Sequence, residues 1–205
     1  MWSRFVLLKV GIKYEFGELM RIIIGITGSS GIIYGEKLLE FCDEKNIETD
    51  LVLSPTAKKI IEFEIDKETK DLKELASETH EYENLGAPIS SGSKEVDGMI
   101  ICPSSMKTIG AIANGVTDNL ITRSADVTLK ENRKLVLVPR ETPIHGIHLE
   151  NMKKLDNSGA VIIPASPGFY HNPKSIEELA DFIVGKIINQ FGVDHELYES
   201  WDGLK

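Results

Sequence analysis

The chain has 205 residues, 41% of them hydrophobic and 27% charged, and a formal net charge of −9. That length suits one domain, and the composition excludes a disordered or fibrous chain. An acidic sum argues against nucleic acid as the main partner, because duplex binding needs a basic face.

Two cysteines, Cys42 and Cys102, offer neither the number nor the spacing of a disulfide framework or a zinc site, which points to a reducing compartment. Residues 1–19 mix short apolar runs with Arg4, Lys9, Lys13 and Glu15. No run there is long enough to span a bilayer, and no small-residue cleavage site follows. Met20 directly precedes a strong strand, so either it is the functional start or the preceding residues are an appendage. The expected organisation is an N-terminal extension over 1–19, whose order the sequence leaves open, and one domain over 20–205.

RIIIGI (21–26) is an apolar, β-branched run, which predicts a strand buried on both faces. IYGEKLLEFCDEK (33–45) sets Leu38, Leu39, Phe41 and Cys42 at helical spacing. ETDLVLS (48–54) predicts the second strand, and PTAKKIIEFEI (55–65) a helix with Pro55 in its first turn. Residues 66–95 are polar, with a charged helix-like stretch, KETKDLKELA, and a turn-rich GAPISSGSK. DGMIICP (97–103) is the next strand, followed by helices over 105–114 and 119–132. KLVLVP (134–139) is a strand and HLENMKKLDNSG (148–159) a helix with a glycine stop. AVIIP (160–164) is a strand, and 173–192 is the last helix, opened by Pro173 and Ser175. This strand–helix alternation predicts an α/β chain with a doubly wound parallel sheet. Ligands of such sheets bind outside the carboxyl ends of the strands, so the residues just after each strand are the candidates.

After the first strand come Thr27-Gly28-Ser29-Ser30-Gly31. Glycines admit a ligand to the backbone, and the helix that follows begins with partial positive charge; a tight turn with no ligand is the plain alternative. Ser54 follows the second strand and suits a helix cap, a ligand contact, or both. Ser104 to Thr108 follow the next strand with hydroxyls at a helix start, and Cys102 reads as core, not nucleophile. Arg140 and Glu141 follow KLVLVP. Arg suits phosphate. A Glu beside phosphate oxygens has its charged form destabilised, which raises its pKa and fits it to protonate a leaving group; a surface ion pair is the alternative. The loop 165–173, ASPGFYHNP, is rigid and carries two aromatics.

Residues 103–148 hold six Lys or Arg against four Asp or Glu, inside an otherwise acidic chain. A local positive site suits a small anion. Arg123 and Lys130 stand seven apart, on one helix face about 10 Å apart along the axis, which also describes an ordinary solvated face. His145 and His148 form HxxH without an evident third ligand, so no metal is expected.

Taken together, GITGSSG, SSGS (90–93), CPSSMKT, LITRSADVTLKE, LVLVPRETP, IHLENM and PGFYHNP resemble, in this order, the UbiX-type flavin prenyltransferases. The resemblance runs from about Met20 to Trp201. It implies a Rossmann-like (flavodoxin-like) doubly wound fold in three α/β/α layers, with FMN, used in reduced form, as acceptor. The implied donor is dimethylallyl monophosphate, the product prenylated FMN, and the recipient a UbiD-like decarboxylase. A cytoplasmic homo-oligomer, a dodecamer, is implied, with no metal, membrane or nucleic acid. By matched position, Gly28, Ser29, Ser30, Ser54, Ser105, Met106, Lys107, Thr108 and Arg140 should contact FMN. Tyr170, Lys186, Arg123, Lys130 and Trp201 should bind the donor, and Glu141, Ser30 and Glu64 should be catalytic. Several relatives carry Arg where Lys186 stands, and Lys lacks the two-pronged grip on phosphate. Two other readings differ in class. A decarboxylase of the related cysteine decarboxylase fold would carry a PxMNxxM-type segment, where PRETP stands here. A non-enzymatic FMN carrier would leave Glu141 and Lys186 without a chemical task.

Overall fold

A computed structural model describes residues 19–201 and 203, so the 1–19 extension lies almost wholly outside the described residues. Six strands form one all-parallel sheet: β1 (Arg21–Ile26), β2 (Glu48–Leu53), β3 (Glu78–His80), β4 (Gly98–Ser104), β5 (Lys134–Pro139) and β6 (Val161–Ile162), in the order β3-β2-β1-β4-β5-β6. That is the Rossmann order. Without the short edge strand β3 it reduces to the five-stranded flavodoxin order, so both descriptions fit. The order reverses between β1 and β4, and the crevice of such a sheet opens there.

The strands are apolar throughout because both faces are covered. On one face Ile22, Ile24, Ile26, Ile100, Cys102, Val136 and Val138 pack under α1 (Ile32–Glu44), α2 (Pro55–Glu64) and α7 (Ile176–Ile188). On the other, Ile23, Met99, Ile101, Leu135 and Leu137 pack under α4 (Met106–Ala113), α5 (Leu120–Lys130) and α6 (Gly146–Asn157). A short helix, α3 (Thr69–Glu74), crosses the polar middle. Each fully buried isoleucine contributes roughly 1.5–3 kcal/mol. Burial pushes the Cys42 thiol up to about 12 and Cys102 further still, so both are core residues. Among the described residues no helix is long and apolar enough to cross a membrane.

Three elements differ from the sequence expectation. The polar stretch 66–95 contains β3, whose ETH sequence has no apolar signature. It pairs with β2, and side chains anchor it: Asp50 accepts from Arg21 (3.0 Å) and sits 2.7 Å from His80 Nε2. The expected 160–164 strand keeps only Val161–Ile162 as a ladder, although the Ile163 and Ala165 amides still bond to Leu137 and Pro139 carbonyls. The last helix starts at Ile176, capped by Ser175 accepting from the Glu178 amide at 3.2 Å, so Pro173 lies before it.

Candidate active site

The turn after β1 uses its polar groups inside the protein. The Thr27 hydroxyl donates to the Pro103 carbonyl (2.9 Å) and accepts from the Ser105 amide (2.7 Å), which ties this turn to the exit of β4. The Ser29 amide donates to the Thr27 carbonyl (2.8 Å), and its hydroxyl donates to the Arg140 carbonyl (2.6 Å) at the exit of β5. Gly28 leaves room for a neighbour: a Cβ there would lie 2.5 Å from the Thr56 side chain. Gly31 has φ 101°, a left-handed conformation that favours glycine.

The first amides of α1 are already partnered. Glu64, the last residue of α2, accepts from the Gly31 amide (2.7 Å) and the Ile32 amide (3.0 Å). It also takes a hydrogen bond from the Ser30 hydroxyl. Burial would raise the Glu64 pKa, but the hydroxyl, the two amides and the nearby Arg140 charge hold it below its ordinary value. The Gly31 and Ile32 amides at the positive end of α1 therefore face the exposed Glu64 carboxylate, with Ser30 beside it.

Ser54 and Ser105 are helix caps, accepting from the Ala57 amide (3.1 Å) and the Thr108 amide (3.3 Å). Ser105 also bonds Thr108 Oγ1 at 3.1 Å, while Met106 and Lys107 occupy the first turn of α4, where amides lack intrahelical partners. Arg140 and Glu141 are exposed just past β5. Glu141 borders an open cavity of about 250 Å³ walled by Met106, Pro139, Pro143, Ile144, Met152 and Pro164. Its carboxylate accepts from the Thr142 amide at 3.2 Å.

The loop after β6 meets α7 in an aromatic cluster. Tyr170 packs edge-on to Phe182 (5.7 Å between ring centres) and Trp201 (5.5 Å), and His171 stacks on Phe182 at 5.3 Å. Lys186 Nζ lies over the Phe182 and Tyr198 rings, 5.2 and 5.0 Å from their centres. Both His171 ring nitrogens are buried without a hydrogen-bond partner among the described residues. Phe182 and Tyr198 escaped sequence reasoning. Phe182, four residues before Lys186, carried the only signal. In sequence Thr27 reads only as part of the turn, because its partners at Pro103 and Ser105 are distant in the chain.

Within one chain, Arg123 and Lys130 are not brought beside Lys186, with which they are expected to share the donor. They ride on α5, on the sheet face opposite α7 and Lys186. Arg123 donates to the Ser90 carbonyl (3.1 Å) and to Asp126 (3.0 Å), and Lys130 pairs with Glu131 (3.1 Å). Because α5 returns toward the start of β5, Lys130 also sits at the amino end of the sheet, away from the strand exits. The His145 and His148 rings stack on each other at 3.6 Å beside the start of α6.

The sequence profile of the Flavoprotein family matches residues 13–188. The chain is 45% identical over 182 residues to the flavin prenyltransferase UbiX of Methanocaldococcus jannaschii, covering 89% of this chain and 98% of that protein. It is similar to the crystal structure of AnUbiX (PadA1) in complex with FMN and dimethylallyl pyrophosphate, at 44% identity and a TM-score of 0.90, over 92% of this chain and 100% of that one. It is also similar to a dodecameric FMN-dependent UbiX-like decarboxylase from Escherichia coli O157:H7, at 44% identity and a TM-score of 0.88, over 90% of this chain and 100% of that one.

Proposed function

The chain belongs to the UbiX-like flavin prenyltransferase family, and from that membership we propose that it transfers the dimethylallyl group of dimethylallyl monophosphate to reduced FMN, giving prenylated FMN for a UbiD-like decarboxylase. The observation that carries the reading is the Glu141 carboxylate, with the exposed Arg140 beside it, on an apolar-walled cavity at the β5 exit; the aromatic cluster of Tyr170, Phe182 and Trp201, with the Lys186 ammonium over the Phe182 ring, supports it.

The residues present suit the two ligands. Hydroxyl-bearing turns stand at three neighbouring strand exits, and the cavity wall of Met106, Pro139, Pro143 and Pro164 suits the hydrocarbon faces of a flavin ring. Gly28, Ser30, Ser54, Arg140 and the start of α4, Ser105 to Thr108, are the proposed flavin-side residues, whereas the Ser29 hydroxyl is already bonded to the Arg140 carbonyl. Reduced FMN, when bound, supplies the nucleophilic N5 and C6 positions at which the added ring is joined.

The chain's own residues then divide the work. Arg140 and Lys186 hold the donor phosphate and stabilise its departure. Glu141 gives a proton to the leaving phosphate oxygen and can take one back. Tyr170 and Trp201 present ring faces to the cationic allyl group and keep water from it. Ser30 and Glu64 hold a proton on the flavin side. Four cationic side chains, with Arg123 and Lys130 supplied by a second copy, balance a monophosphate without a metal. We accordingly propose a homo-oligomer, a dodecamer like the Escherichia coli relative, with residues 20–205 as its FMN-binding domain and the cytoplasm as its location.

Anaerobic incubation with reduced FMN and dimethylallyl monophosphate tests the reading. Mass spectrometry should find the flavin heavier by one C5H8 unit, with one phosphate released per flavin. An unchanged flavin mass would remove the activity.

A further inference from the structure

The hydroxyl of Ser29 is committed before any ligand arrives. Ser29 is 8% exposed, its amide is bonded to Thr27, and its hydroxyl is bonded to the Arg140 carbonyl at 2.6 Å. The acceptor stands at a particular point in the chain. Backbone pairing of β5 runs out at Pro139: toward β4 the last register pair is Ser104 with Pro139, and toward β6, where the ladder ends at Leu137 with Ile162, the Pro139 carbonyl still accepts from the Ala165 amide at 2.9 Å. Arg140 is the first residue past this pairing. Its carbonyl takes a hydrogen bond from a turn that lies beyond β4 in the sheet and 111 residues away in sequence.

The peptide unit is planar, so the Arg140 carbonyl, the Glu141 amide and the Glu141 Cα move together. Fixing that carbonyl fixes the direction in which Glu141 leaves the sheet. The side chains of Arg140 and Glu141 are exposed and have little packing to hold them. Resting on the proposed transfer activity, we propose that Ser29 is a positioning residue for the Arg140–Glu141 pair and not a flavin contact through its hydroxyl. Thr27, two residues earlier, does the matching task for the β4 exit by bonding Pro103 and Ser105. One turn thus sets the two neighbouring exits.

The test compares Ser29→Ala and Ser29→Thr in the full-length protein. One net hydrogen bond corresponds to a rate change of about threefold to tenfold. Ser29→Ala should lower kcat for prenyl transfer by that factor and leave the FMN dissociation constant within about twofold of wild type. Amide hydrogen exchange should speed up in 140–145 and stay unchanged in 161–170. Ser29→Thr, which keeps the hydroxyl, should restore both turnover and protection. Weaker FMN binding with unchanged exchange in 140–145 would make Ser29 a flavin ligand and overturn the proposal. So would equal losses in the Ala and Thr variants, or no change in either readout. The exchange readout does not need transfer to occur. If wild-type protein prenylates nothing, the activity fails while faster exchange in Ser29→Ala still establishes the tie.

Discussion

Two stretches of the strand-exit rim treat their polar groups in opposite ways. In the turn after β1, the Thr27 and Ser29 hydroxyls and the Gly31 and Ile32 amides find partners in Pro103, Ser105, Arg140 and Glu64. In the loop after β6 and the facing side of α7, both His171 nitrogens are without a hydrogen-bond partner among the described residues, Tyr170 is 42% exposed and Trp201 is 54% exposed. Partnerless buried groups cost about 1–3 kcal/mol each, so the second stretch is the less settled of the two. On the proposed function, the difference separates framework from candidate ligand surface: substitutions in the first should be felt as stability, and substitutions in the second as binding and turnover.

Glu141 offers the sharpest division, because it lies on the open side yet hangs from a carbonyl held by the closed side. Glu141→Gln should lower kcat for prenyl transfer by about a hundredfold to a thousandfold, within the range of general acid catalysis. Its melting temperature should stay within about 1 °C of wild type, since exposed substitutions cost little. Single-turnover kinetics and calorimetry read the two together, and a large loss of stability would place Glu141 in the framework. Gly35→Ala should do the reverse. A Cβ at Gly35 would stand 2.6 Å from the Cys102 backbone oxygen, which cannot swing away, and 2.8 Å from the Ile26 Cδ1 methyl. Such crowding costs about 2 kcal/mol, roughly 4–8 °C in Tm at this chain length. An unchanged Tm would mean that α1 slides freely over β4.

Much of the closed side was legible in the sequence because its signals are local. RIIIGI, KLVLVP and the serine caps announce strands and helix starts within a few residues, and the apolar runs follow from burial on both faces. β3 was not legible: ETH is polar, and only Arg21, Asp50 and His80, brought together by β2, make it a strand. The open side was legible in its residues but not its grouping. Tyr170, Lys186 and Trp201 do meet, through Phe182, because α7 returns beside the 164–172 loop. Arg123 and Lys130 do not join them. A single helix face carries no information about which side of the sheet it will cover, and α5 covers the other one.

Lys186 sharpens the comparison from the ligand side. Lys186→Ala should raise KM for dimethylallyl monophosphate about tenfold, the effect of one lost charge-assisted contact, while changing FMN affinity less than twofold. Lys186→Arg should lower the donor KM below wild type by restoring the two-pronged contact. Steady-state kinetics against isothermal titration with FMN checks both, and equal effects on the two ligands would move Lys186 off the donor side.

The smallest expected effect concerns pH, and its sign follows from Glu64. Burial alone would raise this carboxyl, but the Ser30 hydroxyl, the Ile32 and Gly31 amides and Arg140 bond or attract the ionised form and lower it. The folded state therefore binds a proton less readily than the unfolded chain does. Stability from Glu64 is fully present above its unfolded value of about 4.3 and is lost as pH falls through the lower folded value. Glu64→Gln removes that titration but keeps one carbonyl oxygen for the two amides, which both bond a single carboxylate oxygen. Its Tm should fall slightly at pH 7, and its decline between about pH 5 and 3 should be shallower than wild type. Thermal melts across that range decide the point. A parallel decline would mean that Glu64 is ionised to the same extent folded and unfolded. The carboxylate at the start of α1 would then be a bystander, and the turn after β1 would lose one of the partners that make it the closed side of the rim.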